Sequence, residues 1–342
     1  MELPLQLQTA YQDLLQHHQA EPGQTIEGSI LRRERDGRGY WVARQRLGDR
    51  VTELAIGPDS GEVRARVAEA RALQDSHKAW SRSVAANVAM LRAGRCLTPD
   101  MQTGRLLAAV ARTGFFRAGG ILGGTHAFRH YPLMLGVEPP LRQVVLTGDV
   151  DLLTPAALRL VSPGEGLAAR IADLGIGLVP VFPLEAGQPP KYRVAGVIDL
   201  EFLSTVGRGG EASRLHAGIG QKVQALRFLE FSMEESEWAV SLYRGGVPVR
   251  VPRPERYALH KLIVAARRAG SFVEKREKDL DQAAWLIRVL AERRPYELWA
   301  GWDDLRRRGR KWQALADASL ARRPEARDDL ARGEEEFGAA GG

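Results

Sequence analysis

Cysteine is nearly absent: Cys96 stands alone in 342 residues. An internal disulfide and a cysteine-based zinc site are therefore excluded, and the thiol reads as buried and inert. No apolar run is long enough to cross a bilayer. Met1–Gln19 carries no basic leader followed by a continuous apolar core, so neither a membrane span nor a secretory signal is expected, and the chain is placed in the cytoplasm. No internal repeat is visible, and no nucleophile elbow presents a serine at a strand-to-helix turn.

The chain is long enough for two or three compact domains. Its 44% hydrophobic and 27% charged residues are ordinary for a globular protein. The formal net charge is +7 and the sequence pI about 9.7. That balance favours an anionic partner such as RNA, DNA or a nucleotide. Much of the excess is arginine in an Ala- and Gly-rich chain, so charge alone does not separate a partner from a compositional bias.

Apolar residues at Leu7, Tyr11, Leu14 and Leu15 recur at helical spacing, which predicts a helix over 5–19 that ends at Pro22-Gly23. Asp36-Gly37-Arg38-Gly39 is a hairpin signal between Ser29-Ile30-Leu31 and Tyr40-Trp41-Val42-Ala43. Gly57-Pro58-Asp59-Ser60 closes that unit and can cap a long helix over 62–92, with a stripe of Val63, Val67, Ala70, Leu73, Trp80, Val84, Val88 and Leu91. A second helix is expected over 101–113. Strands are expected over 115–122, 144–152, 177–183 and 192–203, and helices over 125–135 and 155–174, the latter interrupted near Pro163-Gly164. Downstream, a strand pair over 238–250 turns at Gly245-Gly246, and helices cover 254–268, 278–292 and segments up to Arg322. The expected division is an N-terminal helix and hairpin unit (1–60), a connecting helix (61–100), an α/β core (101–214), a strand pair with a helical domain (215–322) and a charged, disordered tail (323–342).

Three segments carry chemistry. Gly123-Gly124-Thr125 turns a strand into a helix. Free backbone N–H groups at such a turn hold phosphate, and the Thr125 hydroxyl can cap the helix or add a donor. Asp149 and Asp151 lie two apart on a strand and so share a face. Carboxylates that close repel one another unless a hard cation such as magnesium neutralises them. In Ile198-Asp199-Leu200-Glu201-Phe202-Leu203, Asp199 and Glu201 share one face and either can complete a three-carboxylate site. Each has a plainer reading: a tight turn, a solvated strand end and an exposed strand face.

Taken together, Gly123-Gly124-Thr125-His126-Ala127-Phe128 and Thr147-Gly148-Asp149-Val150-Asp151-Leu152 resemble the signature of the bacterial nucleotidyltransferase-fold family, and are similar to nucleotidyltransferase toxins of abortive-infection and toxin–antitoxin systems. The resemblance spans about 106–290. It implies an α/β (α+β) fold, a mixed sheet with flanking helices followed by a helical domain. It also implies magnesium- or manganese-dependent transfer of NMP from an NTP to an RNA, protein or small-molecule acceptor, and an antitoxin or other protein partner. On that resemblance Gly123, Gly124 and Thr125 hold the triphosphate, Asp149 and Asp151 bind metal with Asp199 or Glu201, and Lys261 offers a point charge to phosphate. Lys261 paired with Asp279 between helices is an equal alternative.

His126 and His130, four apart, lack a third ligand in view and read as helix packing or a substrate contact rather than zinc ligands. Arg306-Arg307-Arg308-Gly309-Arg310-Lys311-Trp312 reads as a solvated helix face, or else as a nucleic-acid track with Trp312 stacking on a base. Two rivals to catalysis stand: a degenerate fold that only binds nucleotide or RNA, and non-specific, salt-dependent binding by this basic run.

Overall fold

A computed structural model describes residues 2–23, 26–47, 50–140, 148–161, 165–182, 189, 191–207, 210–268 and 273–338. After helix α1 (Leu5–Gln19), Asp36 and Gly37 both take positive φ, 53° and 71°. That two-residue turn matches the twist of the flanking strands, so β1 (Ser29–Arg35) and β2 (Arg38–Leu47) close as an antiparallel hairpin, with β3 (Arg50–Pro58) added on β2. Helix α2 (Gly61–Ala93) starts where the Ser60 hydroxyl accepts the Val63 N–H at 3.3 Å. At 1.5 Å per residue α2 is roughly 50 Å long. One end packs Val63, Val67 and Ala70 on Ile30 of the small sheet. The other packs Val84, Val88 and Leu91 with Tyr11 and Leu14 of α1.

Helix α3 (Met101–Arg112) is capped by Asp100, whose Oδ1 accepts the Gln102 and Thr103 N–H groups at 3.0 and 2.9 Å. The strand expected over 115–122 is replaced by turns, and only β4 (Ile121–Leu122) is extended. Gly114 and Gly119, at φ 83° and 98°, bend the chain on either side, while Phe115 and Phe116 are buried in the main core. The apolar run is there, but it is folded inward rather than paired. The helix expected over 125–135 is broken into α4 (Gly124–Phe128) and α5 (Tyr131–Leu135). Pro132 has no N–H and its ring would crowd the Phe128 carbonyl, so the first helix stops there.

Strand β5 (Asp149–Leu153) follows; Val144, Val145, Leu146 and Thr147 lie outside the described residues. Of the helix expected over 155–174 only α6 (Leu167–Asp173) is helical among the described residues, and Ser162, Pro163 and Gly164 lie outside them. Then come β6 (Leu178–Val181), β7 (Lys191–Val194) and β8 (Ile198–Thr205), with Pro183 also outside the described residues. The stretch 192–203 is thus two antiparallel strands, turned at Ala195 and Gly196 with φ 49° and 74°. β9 (Ser213–His216) and β10 (Gln221–Leu226) complete a mixed sheet of order β4-β5-β8-β10-β9, with β7 pairing both β6 and β8. Because β10 pairs with β8, the sheet runs through the division expected at 214/215.

Helix α7 (Leu229–Met233) leads to the hairpin β11 (Ser236–Ser241) and β12 (Val247–Pro252). Helices α8 (Pro254–Arg267), α9 (Val273–Arg293), α10 (Pro295–Arg307) and α11 (Arg310–Leu320) pack on the sheet through one core that includes Val150, Leu200, Leu259 and Leu286. The expected disordered tail is corrected: residues 324–337 form helix α12 (Pro324–Phe337). Its charge density hides a sparse apolar face. Ala326 and Leu330 are buried, and Phe337 packs on Tyr296 and Trp299 at 5.8 and 6.1 Å between ring centres. Residues 339–342 lie outside the described ones.

Candidate active site

The parallel pairing of β5 with β8 sets Asp149 opposite Asp199 and Asp151 opposite Glu201. The alternate residues Val150, Leu152, Leu200 and Phe202 go to the core, so the four acids share the other face. A cavity of about 300 Å³ opens there. Gly123, Gly124, Asp149, Asp151 and Glu201 line one wall, and Lys261, Arg268 and Lys275 from α8 to α9 line the other. Asp199 and Thr125 are not on its lining; Thr125 is buried instead.

Gly124 sits at φ 56°, and a Cβ there would lie 2.1 Å from Asp151 Oδ2. The Gly123 N–H donates to the Asp151 carbonyl at 2.8 Å. The Tyr257 hydroxyl bonds the Gly124 carbonyl and Gln282 Oε1, each at 3.0 Å. The glycine turn is thus pressed against the acidic strand and pinned from α8. Gly124→Ala is expected to cost roughly 1–3 kcal/mol through the left-handed backbone alone and to push the Asp151 carboxylate out of place. Thermal unfolding of the variant measures the first effect, and its loss of activity the second.

Burial, with the Glu201 carboxylate opposite, pushes the Asp151 carboxyl up to about 6. Asp199 lies well below the usual carboxylate range because Arg193 binds it through Nε and Nη2 at 2.8 and 3.1 Å. Glu201 is paired with Lys191, and Asp149 faces Lys275 at 3.7 Å. Burial works against the charge of Lys191, yet the hydrogen bond to Glu201 raises its pKa overall.

Across the cavity, Lys261 Nζ donates to Asp279 Oδ1 and Arg268 Nε to Asp279 Oδ2, both at 2.6 Å. Asp279 is 1% exposed. Burial opposes the charge on Lys261, but Asp279 holds the ammonium protonated. Lys261 is thus ion-paired with Asp279, as one reading had it, and also stands on the cavity lining. His260, also on the lining, is pushed down to about 3 by burial beside Lys261 and is neutral.

The acids facing the cavity, Asp149, Asp151 and Glu201, offer carboxylate oxygens, which suit a hard divalent cation. Like charge on adjacent strands is what such an ion relieves. As the side chains stand, no three His, Cys, Asp or Glu groups among the described residues converge on a metal position; Glu201, Asp199 and Asp149 are each turned to a cation, Lys191, Arg193 and Lys275.

His126 and His130 lie elsewhere, buried; His130 Nδ1 bonds the His126 carbonyl at 2.8 Å, and burial pushes His130 down to about 4. In the basic run over 306–312 three arginines are ion-paired, while Arg310 and Lys311 are exposed. Arg306 pairs with Glu334, Arg307 with Asp303, and Arg308 with Glu234 and Asp304. Trp312 stands edge-on to Phe228 at 4.6 Å rather than open to a base.

Lys191 and Tyr257 were missed from sequence. The only signal for Lys191 was the Ala195-Gly196 turn, and Tyr257 carried none.

No curated protein and no solved structure matches the chain. A family model described as Nucleotidyltransferase matches residues 101–306. That is more than half of the chain and contains every residue of the acid-lined cavity, so the chain belongs to the nucleotidyltransferase family.

Proposed function

We propose that the chain transfers the NMP of a nucleoside triphosphate to an acceptor hydroxyl in this cavity, the acceptor oxygen bonding the α-phosphorus as the α–β phosphoanhydride breaks and pyrophosphate and the hydroxyl proton leave, with magnesium or manganese held by Asp149, Asp151 and Glu201. The observation that carries the reading is the β5–β8 register, which puts Glu201 rather than Asp199 opposite Asp151 and on the cavity wall. Bound there, the ion supplies positive charge against the phosphates. Lys261, Arg268 and Lys275 supply the fixed counter-charge for the triphosphate from the opposite wall. Gly124, at φ 56° beside Asp151, lets the chain approach phosphate closely. Glu201 and Asp149 exchange their lysine partners for the ion.

A second reading, a nucleotide-binding module without transfer, is favoured by the Glu201–Lys191 pair, which leaves the third carboxylate occupied. Incubation with each α-labelled NTP, Mg²⁺ and RNA or protein extract separates the two. Label in an acceptor with the wild type, and none with Asp149→Ala or Asp151→Ala, is the expected result. Activity retained in both variants refutes the assignment, and nucleotide binding without transfer establishes the module.

A further inference from the structure

The cavity does not end at the carboxylates. Residues two apart on a strand share a face, so paired strands present rows of side chains across it. Beside the Asp151–Glu201 row lies the row Leu153–Leu203–Gln224, since Leu153 pairs with Leu203 on β8 and Leu203 with Gln224 on β10. It stands roughly 7 Å further along the strands. Leu226 continues this floor, and α7 covers it with Leu229 and Ser232. Leu153, Leu203 and Leu229 belong to one apolar cluster, with Leu226 packed against it.

This end is therefore apolar, with two neutral polar groups set into it. Gln224 and Ser232 both line the cavity, and neither the Gln224 amide nor the Ser232 hydroxyl has a hydrogen-bond partner among the described residues. The roof is firmly placed. Phe228, which starts α7, holds φ 72°, a conformation costly for an aromatic residue. The edge of Trp312 at 4.6 Å and the Arg267 guanidinium at 5.0 Å hold it there.

A nucleoside triphosphate has the same polarity: an anionic tail, a sugar, then a flat ring with apolar faces and a hydrogen-bonding edge. We propose that the Leu203–Leu226–Leu229 end is the nucleobase subsite and that Gln224, supported by Ser232, determines which base is accepted. This rests on the nucleotidyl-transfer reading of the cavity. A glutamine amide presents a donor and an acceptor side by side, which pairs with two atoms of a base edge at once. An apolar slot alone discriminates weakly, whereas a site built to hydrogen-bond its ligand rejects one that leaves those groups unpaired.

The test is the affinity of the intact protein for each of the four labelled NTPs with Mg²⁺, by equilibrium dialysis, for wild type, Gln224→Leu and Ser232→Ala. Displacement by inorganic triphosphate, which meets only the charged end, reports whether each variant keeps a folded site. The wild type is expected to prefer one base. Gln224→Leu is expected to lose at least about tenfold of that preference while inorganic triphosphate binds as before. Ser232→Ala shifts the ranking in the same direction by less, and it decides the matter if Gln224→Leu loses inorganic triphosphate too. A wild type that binds all four alike, or a preference untouched in the variants, overturns the subsite and leaves nucleotidyl transfer standing. A wild type that binds no NTP overturns both.

Discussion

Asp151→Asn is expected to remove nucleotidyl transfer by a factor on the order of 10³ or more while raising the unfolding temperature of the metal-free protein. The two effects have one cause. Burial and the facing Glu201 lift the Asp151 carboxyl from 3.8 to about 6. The folded chain thus holds this proton more tightly than the unfolded chain does. The stability it contributes is present at low pH and is lost as pH rises through the window from 3.8 to about 6. At neutral pH the ionised carboxylate costs the fold at most about 3 kcal/mol. Asparagine keeps the shape and removes the charge, so the metal-free variant regains much of that stability. Held as proposed by Asp149, Asp151 and Glu201 of the folded chain, magnesium should raise the wild-type melting temperature and leave the variant's unchanged. Calorimetry in chelator and in excess Mg²⁺, beside the labelled-NTP assay, checks all three outcomes. A variant that melts below the wild type in chelator, or that transfers label, removes the carboxylate from the role given to it. Asp149 makes the internal control: its side chain is 42% exposed, so Asp149→Ala should lose transfer with little change in stability.

The elements written most plainly in the sequence are those whose signal is local. The Asp36-Gly37 hairpin, the Ser60-capped helix and the strand pair turned at Gly245-Gly246 all form where patterning and turn chemistry place them. What failed was non-local. Phe115 and Phe116 have the apolarity of a strand, and only the glycines around them turn that run into a buried loop. Tyr192 to Leu203 alternates as one strand would, so the Ala195-Gly196 turn went unseen and with it Lys191, the partner of Glu201. The α12 face is too sparse, at Ala326, Leu330 and Phe337, to stand out from its charges. Within the site, alternation puts Asp199 and Glu201 on one face of β8 but cannot choose between them. The register with β5 sets Glu201 opposite Asp151, and of the two only Glu201 lines the cavity; both follow from pairing across the sheet. The same limit applies to Gln224, which acquires its neighbours only when β10 docks on β8.

Lys261 and Asp279 offer the sharper test, because one residue has a structural and a ligand-binding reading at once. Asp279→Leu leaves Lys261 and, less deeply, Arg268 without their carboxylate in a buried setting, and is expected to destabilise the fold by about 3–5 kcal/mol. Lys261→Met alone leaves Asp279 to Arg268, whose side chain is 28% exposed and reaches water, so it should cost less. The double variant Lys261→Met/Asp279→Leu replaces the pair with apolar groups of similar size and should recover most of the stability of wild type, since a buried ion pair offsets little more than its own desolvation. Activity then divides the two readings. If Lys261 only pairs with Asp279, the double variant regains transfer along with stability. If its ammonium meets the triphosphate across from Asp151, the double variant folds as well as wild type, loses affinity for inorganic triphosphate, and stays on the order of 10²-fold slower. The second outcome is expected: an ammonium serving the fold alone has no need of a place on the cavity wall, yet Lys261 lines it beside Arg268 and Lys275 and opposite the acids of β5 and β8.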